Sequence, residues 1–384
     1  MHVRSIKIAE YSFRVLSIIG VWKPISFTSV WQIRLYNIYS AIVFSFKYFF
    51  TFTFLINLYQ NRHNPEVYIE NFFFFTSCFL VAFKVTYFKI YRENIVSLTN
   101  MLLQNKCLSR NDKEAAIYNK CKEKQRLHER LFVTCIFFTS TIYVLWSLIN
   151  ITLPVKSWVP YAINSKTIFW ITYLYQCCGV YLEVLLYTAT ELLLTILMQH
   201  ICTQLEIFII RLFEITNLRI TEYVKIDVLQ EECNIVKDCV DHHVFIFSME
   251  KQLNDIFGLL ISLQFFVSVL NLCTTGFYIT KVNASGAYFW FSIMIMGCFI
   301  FQIFTHCYLG EEITRKSLSV ADEIYQMDCN VLSLETKQKL IMIMMRARRP
   351  IQLTGFSVVV LSIETFFKVL KASYSSYNLL RNTN

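Results

Sequence analysis

Apolar stretches long enough to cross a lipid bilayer recur along the whole chain, and no other feature constrains its fold as much. A spanning helix needs about 20 predominantly apolar residues. The sequence predicts seven spans, over about 35–59, 71–90, 131–150, 167–199, 254–280, 286–308 and 350–375. Composition agrees, with 55% of the 384 residues hydrophobic and 16% charged, against roughly a quarter charged in soluble domains. Nothing Pro/Gly/Ser-rich, low in complexity or clearly repeated breaks the pattern. The reading is an all-α, polytopic membrane protein, one seven-helix domain over 1–384.

The fourth span is too long for one crossing. Its apolar stripe continues at helical spacing through Ile201, Leu205, Phe208, Leu212 and Ile215, and a second stripe, Leu229, Val236, Val240, Val244 and Phe247, leads into the fifth span. Two readings stay open for 200–349: internal packing of long cytosolic helices, or a helical platform for subunit assembly.

Charge sets the orientation. Of 36 Lys and Arg, 26 fall on one side, in the N-terminal segment and 91–130, 200–253 and 309–349, and five on the other. Cytoplasmic loops collect positive charge, which predicts a cytosolic N-terminus and an extracellular C-terminus. The N-terminal apolar patch near Val15–Trp22 is too short for a signal peptide. The sequons at Asn150 and Asn283 fall in outer loops but hug the membrane. The net charge of +9 thus faces anionic lipid and is no nucleic-acid footprint.

None of the 13 cysteines lies in a predicted outer loop, where oxidation would pair them. Cys239 with His242 and His243 makes a poor tetrahedral metal site. Seven spans invite comparison with G-protein-coupled receptors, but the orientation is inverted, and NPEVY at Asn64–Tyr68 sits in an outer loop. Nucleophile-elbow, zinc-protease, P-loop and dinucleotide signatures are missing from the sequence, so no enzyme is expected. Glu183 and Glu191 in span four are intramembrane carboxylates that need partners, and Lys47, midway in span one, suits Glu183.

The last span is the odd one. Ser357, Glu364, Lys368, Lys371, Ser375, Asn378 and Asn382 cluster along one helical direction, with Leu379 at its edge. Lipid does not tolerate such a stripe, so it faces protein or water: an internal packing face, or the wall of an aqueous pore.

These last residues also carry a family resemblance. His306-Cys307-Tyr308-Leu309-Gly310-Glu311-Glu312 with Ser317 resembles the Y-C-x-x-G-x-x-L…S element of insect odorant receptors. Arg348 to Thr354 resembles their R-x-P-L-x-L-T-A-G segment, and Thr365-Phe366-Phe367 through Ser375 and Leu379-Leu380 resembles their T-F-x-x-(I/V)-L-K-x-S-Y-S…L ending. Asp241-His242-His243 to Phe257 and Leu263-Gln264-Phe265-Phe266 fit their approach to span five. The likeness covers roughly 240–384. One departure is Asp328-Cys329, after Glu323-Ile324-Tyr325, where the family commonly places a tryptophan.

The resemblance implies an odorant-gated, non-selective cation channel of four subunits, without cofactor. The length and ending are those of a ligand-tuning subunit that assembles with the shared co-receptor (Orco) in the plasma membrane. Related gustatory receptor channels end in T-Y-h-x-x-x-x-Q-F, which this chain lacks. A transporter is the remaining alternative. The family's pocket for a small volatile organic lies in the outer halves of the spans, drawn from 35–200 and 286–308. Here that zone holds Phe74, Phe75, Cys78, Thr139, Tyr143, Trp146, Tyr173, Cys177, Val180, Tyr288 and Phe291. By the same resemblance 350–384 forms the pore helix and tail. Leu379 narrows the outer mouth, with Asn382, Asn378, Ser375, Lys371, Lys368 and Glu364 along the wall. Pro350 is expected to separate a cytosolic helix near 335–347 from that pore helix.

Overall fold

In the computed structural model, residues 9–24, 29–221, 226–281, 286–356 and 359–382 are described. They form ten α-helices: α1 (Glu10–Ile18), α2 (Val30–Gln60), α3 (Pro65–Ile90), α4 (Arg92–Met101), α5 (Asp112–Ile149), α6 (Lys166–Thr221), α7 (Ile226–Lys281), α8 (Ala287–Gln326), α9 (Leu334–Ala347) and α10 (Ile363–Asn382). Among the described residues six helices, α2, α3 and α5 to α8, are long and apolar enough to cross a membrane.

Local sequence starts these helices. In the NPEVY string the Asn64 side chain accepts from the Val67 N–H, and Pro65 occupies the first turn, where no N–H is needed. Asn111 and Ser333 cap α5 and α9 the same way.

α6 is the axis of the bundle. It packs against α5, α7 and α8, and most of its apolar window is buried. α2, α5 and α8 bury far less of theirs and turn residues such as Ile42, Phe52, Phe138 and Phe301 outward, as lipid-facing helices do. The Ile201–Ile215 stripe of α6 meets Val236 of α7 in one continuous core. Leu229 and Val244 of the second stripe are exposed instead. Arg211 clamps this region. Its guanidinium grips Glu114 through two nitrogens at 2.8 and 2.9 Å and donates to the Lys106 and Leu108 carbonyls at 2.7 and 2.9 Å. His242 touches Arg211 and Gln204 while His243 stacks on Phe208, so the two imidazoles serve separate packing roles.

The expected last span over 350–375 differs from the structure. α9 ends at Ala347, and Pro350 lies in neither helix nor strand. A two-stranded hairpin, β1 (Thr354–Gly355) paired antiparallel with β2 (Val359–Val360), precedes α10. The apolar run that suggested a span is covered by protein, because Ile351, Leu353 and Leu361 are buried in the common core. Two glycines admit this strap. A β-carbon at Gly355 would lie 2.7 Å from the Ser262 hydroxyl, and one at Gly310 would collide with Cβ and the carbonyl oxygen of Leu361. Overpacking costs about 1–3 kcal/mol. Gly310→Ala is therefore expected to cut surface-labelled protein severalfold, and wild-type labelling would mean that the strap shifts freely.

Candidate functional site: an apolar cavity and a polar last helix

A cavity of about 180 Å³ lies among α2, α3, α5, α6, α7 and α8. A third of its lining residues are aromatic: Phe50 and Phe54 from α2, Phe73 and Phe74 from α3, Tyr143 from α5, Tyr187 from α6 and Phe299 from α8. The rings interlock, with Phe50 against Phe54 edge-on at 5.2 Å and Phe54 stacked on Phe74 at 5.7 Å. Polar lining groups are mostly turned away. Thr139 and Ser140 donate to the carbonyls of Cys135 and Ile136, both at 2.8 Å, and Asn271 is held by Thr76 and Ser77. Tyr143 differs, because its hydroxyl has no hydrogen-bond partner among the described residues. A space lined this way holds a molecule by shape and apolar contact. For scale, an apolar cavity of roughly 150 Å³ accommodates benzene.

Buried ion pairs sit beside and beneath it. Glu183 lines the cavity and pairs with Lys47, whose ammonium also donates to Thr51 at 3.0 Å and to the Cys78 carbonyl at 2.9 Å. Lys84 of α3 pairs with Glu191 of α6 and reaches Gln264 of α7, and His306 of α8 lies 3.7 Å from the other Glu191 oxygen. These contacts tie four helices together where a lone charge is expensive.

Of the residues expected at the pocket, Phe74, Cys78, Thr139, Tyr143 and Val180 line this cavity. Tyr288 and Phe291 line a smaller adjoining one that also touches Phe74 and Tyr143. Phe75, Trp146, Tyr173 and Cys177 line neither. Tyr173 instead fastens α6 to α5, donating to the Val144 carbonyl at 2.8 Å. Phe75 packs on Phe79, and Trp146 is half-buried near the end of α5. Sequence reasoning missed Phe50, Phe54, Val155, Asn271 and Phe299.

On α10, Phe366, Val369 and Ser373 face the protomer core, against α7 and α8. Glu364, Lys368, Lys371 and Ser375 are exposed, Asn378 is half-exposed, and Leu379 is 69% exposed. Glu364 and Lys368 pair at 2.6 Å. Ser357 and the side chain of Asn382 lie outside the described residues, as does the sequon at Asn283. The 13 cysteines, all described, are free.

Fold and cavity together define a helical membrane protein with room for a small apolar molecule in its bundle. The sequence model described as 7tm Odorant receptor matches residues 64–374, and the chain belongs to the odorant receptor family. It is 26% identical to Odorant receptor 85f of Drosophila melanogaster over 151 residues, 39% of this chain and 38% of that one. Against Odorant receptor 9a of the same fly it is 26% identical over 238 residues, 62% of this chain and 57% of that one. The matches thus span about half the length of these relatives. The olfactory receptor OR5 from Machilis hrabei, solved in complex with eugenol, superimposes over 100% of both chains with a TM-score of 0.85 at 14% identity. At that identity the likeness concerns the fold.

Proposed function

We propose that this chain is the ligand-tuning subunit of an odorant-gated, non-selective cation channel in the plasma membrane. The apolar cavity carries this reading. It would take a small volatile organic with a benzene-sized body, held by Phe54, Phe74, Val180 and their neighbours, with the Tyr143 hydroxyl free to orient one polar group. That the Machilis hrabei receptor was solved with eugenol, a small aromatic, supports this class. The N-terminus would be cytosolic by the charge asymmetry.

The exposed polar stripe of α10 supports a pore wall completed by neighbouring subunits, including the co-receptor Orco in a heterotetramer. Leu334, Ile341, Met342 and Met345 on α9 form an exposed apolar row. Contiguous apolar surface of this kind marks interaction sites, and here it suits the assembly platform.

The direct test is recording an odorant panel in cells expressing the chain with and without co-receptor. Odorant-evoked cation current only with both subunits is expected, and its absence across a broad panel would overturn the proposal. Tyr143→Ala should shift half-maximal odorant concentration by about tenfold or more, since ring contacts contribute on the order of 1 kcal/mol beyond area burial. Trp146→Ala, off the lining, should stay within about twofold of wild type. The reverse order would place the ligand nearer the outer end of α5. Apolar constrictions block ions by excluding water, so Leu379→Ser should raise basal current. Unaltered basal current and block would remove Leu379 from the gate.

A further inference from the structure

The cavity continues past Tyr143. A chamber of about 50 Å³ shares Phe73, Phe74, Tyr143 and Ile295 with it. Beyond the chamber, a mouth of about 110 Å³ shares Ile69, Glu70 and Tyr278 with the chamber and ends at the exposed side chains of Lys156 and Lys281. No described residue lines both mouth and deep cavity, so the three spaces stand in series with the chamber between.

The chamber is far too small to hold a ring at rest, since a cavity known to take up benzene measures roughly 150 Å³. Anything that crosses must push aromatic walls aside. Tyr143 stands at the inner junction, 5.6 Å from Phe291 and 6.3 Å from Phe74 by ring centroids. The mouth is bridged from above, because Lys156 binds Glu70 at 2.8 Å while the adjacent Val155 lines the deep cavity.

We propose that this chamber is the passage by which a small apolar ligand enters and leaves the deep cavity, with Tyr143, Phe74 and Phe291 setting the rate. The inference rests on reading the deep cavity as the odorant site. A barrier on a single path slows entry and exit alike, because both directions cross it, and leaves affinity in place. Residues that hold the bound ligand change affinity instead.

Ser292 separates the two roles. It lines the chamber but not the deep cavity, and its hydroxyl is turned onto the Tyr288 carbonyl of its own helix. Ser292→Leu fills the chamber and Ser292→Ala widens it. Each variant is expressed with co-receptor, and current onset and decay are recorded for brief odorant pulses. Leucine is expected to slow both rates together by about tenfold and alanine to quicken both, with half-maximal concentration within about twofold in each. Should the leucine variant fail to reach the surface, the alanine variant decides alone. Unchanged kinetics, or a change in one rate that moves affinity, would overturn the passage and point to access between helices from the lipid. Absence of any odorant response in the wild-type pair defeats the functional reading itself, a different outcome.

Discussion

Val180→Trp is expected to abolish odorant-evoked current while the subunit still reaches the surface with its partner. Val180 lines the deep cavity from α6 and is half-buried, so its side chain points into existing space. An indole there takes up a large share of the roughly 180 Å³ available. What remains falls below the roughly 150 Å³ that admits a single benzene ring. Because the added atoms enter a void, the strain that usually follows small-to-large changes in a packed core is largely avoided. The measurement pairs surface biotinylation with dose–response recording. Loss of odorant-evoked current with normal surface labelling is the expected pattern. Full currents at unchanged concentrations would mean that odorants act elsewhere.

The second large effect concerns folding rather than recognition. Lys84→Met leaves Glu191 buried without its ammonium, and Glu191→Gln leaves Lys84 similarly stranded. Breaking one side of a buried pair costs about 3–5 kcal/mol, whereas replacing both sides is often close to neutral. Each single variant should therefore be retained inside the cell, and the double variant Lys84→Met/Glu191→Gln should recover much of the surface signal. Additive losses in the double variant would show that the two residues do not act as a pair.

Much of this architecture is legible from residue pattern alone. Six apolar runs match the six membrane-length helices to within about two residues where they overrun them, and the long fourth run becomes α6, the continuous axis of the bundle. The Lys47–Glu183 pair was legible because an intramembrane carboxylate requires a partner and the chain offers few. The seventh run was placed at 350–375, whereas its helix covers Ile363–Asn382, and the offset has a physical reason. Hydropathy reports the wish to leave water, and Ile351, Leu353 and Leu361 satisfy it inside the protein.

The cavity was half legible. Phe74, Cys78, Thr139 and Tyr143 lie where the resemblance to insect odorant receptors implies a pocket, in the outer halves of the spans. Phe50, Phe54, Asn271 and Phe299 were not legible, since their inclusion depends on which faces of distant helices meet. Depth was the other gap. The Val155 N–H bonds to Gln176 at 3.2 Å and seats the loop over the cavity at that level of α6. At 1.5 Å per residue, Tyr173 lies a helical turn away from Gln176 in the direction opposite Val180, and the loop closes the space before reaching it. No single-sequence pattern encodes where a loop folds back.

The outward-facing polar stripe of α10 has a consequence for how the cell supplies this protein. A copy without partners leaves a carboxylate, two ammonium groups and Ser375 uncovered on α10, and such groups are costly against hydrocarbon. Copies made in excess of their partners would be retained and degraded. On the proposed assembly, the number of copies at the cell surface would then follow the supply of the partner subunit, however strongly this chain is transcribed.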